Sequence, residues 1–173
     1  LDGQIFIGDE KMKLTKEDVK KYATEDEFDF LIEAYIGQEE KKKIAENVKK
    51  ICNKYGVKGT LRIRHHFTLV LTVREGKIDF MSNYSPSTWN TRYQDIEKNA
   101  IENDKKRGYI QVNVYHFKDH FTDEAKDFLT EVIPAMNMGN HDNSDIQTDY
   151  FDVGWYVDVN IGEWDKPYKY TGE

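Results

Sequence analysis

Cysteine is nearly absent from this chain: Cys52 stands alone among 173 residues, so no internal disulfide can form. It falls with Ile44, Val48 and Ile51 at helical spacing, which predicts a buried structural thiol and not a nucleophile. Long apolar runs are missing as well. None approaches the roughly 20 residues a helix needs to cross a bilayer, and no basic stretch followed by an apolar run opens the chain as in a signal peptide. Both observations point to the cytoplasm. Also missing are a GxSxG elbow, a phosphate-binding P-loop, a Rossmann glycine set, an HExxH helix and paired CxxC motifs. The best-marked routes to nucleophilic, nucleotide and zinc chemistry therefore have no support in the sequence. No internal repeat or low-complexity linker occurs, and at this length a single domain is the default.

What is present is charge, unevenly laid out. The formal net charge is -7. Residues 1–56 carry 11 Lys and Arg against 13 Asp and Glu, residues 57–119 carry 11 against 7, and residues 120–173 carry 3 against 12. A basic middle and an acidic end either pair within one sheet or leave the acidic end to meet a basic partner. Aromatic residues at 13% are too many for a disordered acidic protein.

The hydrophobic pattern predicts an α+β protein. Gln4–Ile7 reads as a first strand, and Thr24-Glu25-Asp26-Glu27 opens a helix with Phe28, Leu31, Ile32 and Tyr35 on one side. A second helix spans about Gln38–Tyr55, with Gly56 placed to end it. From Gly59 the period becomes two. Thr60–Val73 is one long bent strand or two strands broken near His65-His66, and Arg74–Lys77 reads as a hairpin turn into a strand at Lys77–Met81. A helix starting near Ser87-Thr88-Trp89 runs to Lys105-Lys106-Arg107, whose charge suits a helix C-terminus. Tyr109–Phe117 alternates as a strand. Thr122 caps a late helix that Pro134 kinks or ends, and Gly139 closes it. Val153, Trp155, Val157, Val159 and Ile161 then mark one side of a final half-buried strand. The expected architecture is an antiparallel, hairpin-rich sheet packed against N-terminal helices and one late helix. Residues 1–56 form the helical segment and 57–173 the α+β core.

Three constellations carry chemistry. The polar side of the last strand and the loop before it present Asp149, Tyr150, Asp152, Tyr156 and Asp158. Carboxylates among aromatics suit a surface that meets a basic protein. Trp155 lies on the apolar side and reads as core. Second, His116, His120, His141 and Asp142 are the residues from which a metal site would be built. His65 and His66 are adjacent on a strand, point to opposite faces, and cannot share an ion. Asp142-Asn143-Ser144-Asp145 looks like the start of a calcium loop but lacks its glycine and terminal Glu, so Asx-turn chemistry explains it better. Third, Arg62 and Arg64 with Trp89 supply phosphate and base contacts for a nucleotide-signal pocket. A wider strip with Lys58, His66, Tyr84 and Tyr93 would serve single-stranded nucleic acid, which the negative total charge opposes. Pairing of these arginines with Asp152 or Asp158 across strands is the simpler account.

Val57–Phe80, with Arg64-His65-His66 and Gly76-Lys77-Ile78-Asp79-Phe80, and Ile110–Tyr168, with Val112-Asn113-Val114-Tyr115, His120-Phe121-Thr122, the Asn143–Val159 segment and Trp164-Asp165-Lys166-Pro167, carry a resemblance. This part of the chain, roughly its C-terminal two-thirds, resembles small uncharacterised proteins of phages, plasmids and integrative elements. It is similar to large polyvalent protein-associated domains. The resemblance implies an α+β core and a mobile-element setting, where proteins often act against host defences. It implies no catalytic residues. The reading is a non-catalytic protein-binding module without a cofactor, engaging a basic host protein such as a defence nuclease. A small metal-dependent hydrolase or nuclease and a nucleotide-signal-binding protein are the alternatives.

Overall fold

A computed structural model describes residues 38–65, 67–87, 92–142 and 153–172. The described residues all fall in one compact unit, Ile36–Glu173. The elements expected before Gly37 lie outside them.

Helix α1 (Gln38–Lys54) forms where expected, and Gly56 follows it with φ +63°, a conformation glycine adopts without strain. Strands β1 (Val57–Arg64) and β2 (Thr68–Gly76) pair antiparallel. Of the two readings of Thr60–Val73, the broken one holds. The break needs neither Gly nor Asn, because His65 takes the left-handed conformation at φ +51°, which histidine tolerates better than most residues. A strand at Lys77–Met81 does not form. The Asp79 carboxylate instead accepts the N–H of Ser82 at 3.0 Å and starts the short helix α2 (Phe80–Asn83), which drives Phe80 into the core.

Helix α3 (Gln94–Arg107) begins later than the sequence predicts and ends as predicted, on its basic last turn and the left-handed Gly108. Strand β3 is shorter than the alternation suggests, only Ile110–Val112. The Asn113 Oδ1 accepts the N–H groups of Tyr115 at 3.0 Å and His116 at 3.2 Å. That turn takes the chain off the sheet into α4 (Phe117–His120). Helix α5 (Asp123–Met136) follows Thr122, with Pro134 in its final turn. Strands β4 (Tyr156–Ile161) and β5 (Lys169–Tyr170) complete the fold.

The protein is α+β, as expected, but its sheet is mixed and not antiparallel throughout. The order is β1-β2-β4-β3, with β5 also on β2. Both β4 and β5 run parallel to β2, and β3 runs antiparallel to β4. The long excursion through α2–α5 returns β4 in the same direction as β2, which a hairpin could not do. Strand β2 is central and buried along both faces from Thr68 to Val73.

One side of the sheet supplies Val57, Leu69, Leu71, Val73, Ile110, Val112, Val157, Val159 and Ile161 to a single core. Ile44, Val48 and Cys52 of α1 and Ala125, Phe128, Leu129, Val132 and Met136 of α5 close it. Phe80 sits in the middle, meeting Phe121, Phe128 and Tyr168 edge-on at 5.4–6.4 Å between ring centres. Burial pushes the Cys52 thiol up to about 11, which removes its nucleophilic form at neutral pH. The opposite side of the sheet carries Thr60, Arg62 and Arg64, then Thr68, Val70 and Thr72, then Tyr156, Asp158 and Asn160.

Candidate functional site

A cleft of about 710 Å³ opens where β3 leaves β4. Val112, Val114, Ile133 and Val157 line its apolar side. Arg64, Thr68, Tyr156 and Asp158 line its polar side, with Tyr115, Asn137, Asn140, His141 and Asp142 around the remainder. It brings together members of all three constellations read from the sequence.

Two asparagines make the cleft. Asn113 ends β3 after Val112, as described. At the other end, the Asn140 carboxamide stands where a neighbouring strand would be. Its Oδ1 accepts the Trp155 N–H at 2.9 Å and its Nδ2 donates to the Trp155 carbonyl at 2.7 Å. A further bond from Nδ2 to Asn137 Oδ1, 3.0 Å, orients the amide. Gly154 permits this approach, since a Cβ there would lie 2.8 Å from Asn140 Oδ1 and 3.0 Å from His141 Nδ1. Trp155 itself is core, its indole N–H donating to the Met136 carbonyl at 3.0 Å. Asn140 and Asn113 were not singled out by sequence reasoning.

Tyr156 is 45% exposed and meets Phe67 edge-to-face with 6.1 Å between ring centres. Asp158 is half-buried and held by the Arg64 guanidinium, so the expected pairing of a basic strand with the acidic end is present at this position. Arg62 is exposed on the same side of the sheet. Asp149, Tyr150, Asp152 and Trp89 lie outside the described residues.

The histidines do not assemble. His120 is held by α2–α3, its Nδ1 2.9 Å from the Ser85 carbonyl and its Nε2 3.8 Å from Glu97. His116 Nδ1 is 3.7 Å from Asp119, whereas His141 and Asp142 line the cleft. Among the described residues no three His, Cys, Asp or Glu side chains form a metal-binding group. Ser87 and His120 both face Glu97, but Ser87 is buried and its hydroxyl donates to Glu97 at 3.0 Å. Hydroxyl, carboxylate and imidazole here fasten the 85–87 segment to α3 and α4. A nucleophile would need its base on the hydroxyl.

Fold and cleft together define an α+β protein with a mixed sheet and a concavity beside its fourth strand. No protein family, curated protein or solved structure matches the chain. Among the described residues no helix is long and apolar enough to cross a membrane.

Proposed function

We propose that this chain is a non-catalytic binding module of a phage or mobile element, acting in the bacterial cytoplasm. Its partner is a basic host protein of a defence system, which it inhibits in the manner of an anti-CRISPR protein. The observation that supports this most is the Phe67–Tyr156 pair, two exposed rings in contact, of which Tyr156 lines the cleft together with Asp158. Exposed aromatics that already pack on each other lose little freedom on binding and are the usual anchors of an interface. Tyr156 belongs to the acidic last third of the sequence, where residues 120–173 carry 3 basic against 12 acidic residues. A segment of that charge attracts a partner that itself binds phosphate.

The test is capture from a bacterial lysate over a salt series, followed by binding of the purified captured protein. One basic defence component should be retained and released as salt rises, and Tyr156→Ala should lose it with the thermal midpoint unchanged. Tyr156 is a cleaner probe than Asp158, because reversing Asp158 also breaks its pair with Arg64. A wild-type chain that retains nothing at low salt removes the reading.

A further inference from the structure

We propose that the cleft beside Val157 is a small-molecule site for a neutral nucleobase or nucleoside, read through the backbone of Val157. This site stands independently of the protein partner. Along β4 the backbone groups alternate in direction. Tyr156 N–H donates to Phe67 on the β2 side at 2.8 Å, so Trp155, Val157 and Val159 turn theirs the other way. The ladder to β3 stops at the Val112–Val159 pair, and Asn140 serves Trp155. Val157 lies between these two, and its N–H and C=O find no protein partner among the described residues.

Asn140 shows what fits such a pair. A planar amide edge, acceptor beside donor, spans the N–H and C=O of Trp155, the residue before β4, at 2.9 and 2.7 Å. Nucleobases carry the same edge, as in N1 and the exocyclic amine of adenine. The cleft volume, about 710 Å³, falls in the range of roughly 300–1,000 Å³ typical of ligand sites. Val112, Val114 and Ile133 supply an apolar wall for a ring. Charge selects against a phosphate. Arg64, the guanidinium that lines the cleft, is already engaged by Asp158.

The experiment titrates the ¹⁵N-labelled full chain with adenosine and with uridine and follows the Val157 amide. A carboxamide from a partner's side chain has the same edge, so the neutral N-acetylglutamine N-methylamide is titrated in parallel. Saturable movement of the Val157 amide with a nucleoside, and none with that amide, is expected. N6,N6-dimethyladenosine and 3-methyluridine, which block the edge, should bind at least about tenfold more weakly. Adenosine monophosphate should bind more weakly than adenosine. Val114→Trp should abolish the response while leaving resonances remote from the cleft in place. No response to either nucleoside, equal binding of the methylated forms, or a response to the N-acetylglutamine N-methylamide alone overturns the proposal.

Discussion

The two halves of the segment Trp155–Ile161, β4 with the residue before it, treat their outward-facing backbone differently. At Val159 and Ile161 the outer edge is covered by β3, and both side chains are fully buried. At Trp155 the partner is a side chain, the Asn140 amide, and at Val157 the edge faces a cleft. A strand needs hydrogen-bond partners wherever it is withheld from water, but those partners need not be another strand. Where a side chain substitutes, the sheet ends and a concavity begins. The same strand thus supplies a rigid core element and, a few residues away, the wall of the cleft. A rigid wall is what a binding site requires.

The largest expected effect breaks the core half. Ile161→Ala should cost about 2–5 kcal/mol, the usual range for truncating a fully buried isoleucine that the surroundings cannot refill. Urea unfolding followed by tryptophan fluorescence measures it. Asn140→Ala attacks the other half. It strips both partners from the Trp155 backbone, at a cost of about 1–3 kcal/mol, with the core untouched. Hydrogen exchange should then accelerate at Trp155 while Val159 and Ile161 keep their protection. Uniform acceleration along β4 would mean that the two halves unfold together and the distinction has no energetic content.

This division explains what could be read from the sequence. The α+β class and the apolar side of β4 were legible because alternation is enforced by burial, and Val157, Val159 and Ile161 are all core. The helices Gln38–Lys54 and Asp123–Met136 were legible for the same reason. The parallel pairing of β2 with β4 was not, since alternation reports which side is buried and is silent on strand direction. Strand ends were also hidden. Asn113 and Asn140 act through side-chain to backbone bonds that leave no periodic trace, so β3 was read as too long and the cleft was invisible. Tyr156 and Asp158 were placed correctly on the polar side by alternation alone, and His141 and Asp142 reached the same cleft from a different argument.

The smallest stability effect sharpens the comparison most, because in Arg64→Ala stability and binding should move in opposite directions. The Arg64–Asp158 pair joins β1 to β4 across β2, and its side chains are 51% and 25% exposed. Solvent screening at that exposure limits its worth to about 0.2–1 kcal/mol. A double-mutant cycle of Arg64→Ala and Asp158→Ala by urea unfolding should return that coupling, and added salt should shrink it. Yet Arg64→Ala leaves the Asp158 carboxylate on the rim without its counter-ion, next to Tyr156. A basic partner should therefore bind the slightly less stable Arg64→Ala protein more tightly at low salt, and Asp158→Ala more weakly than wild type. Were both variants to weaken the partner equally, the pair would act as a unit that shapes the rim. The acidic character of the cleft would then not be what the partner reads.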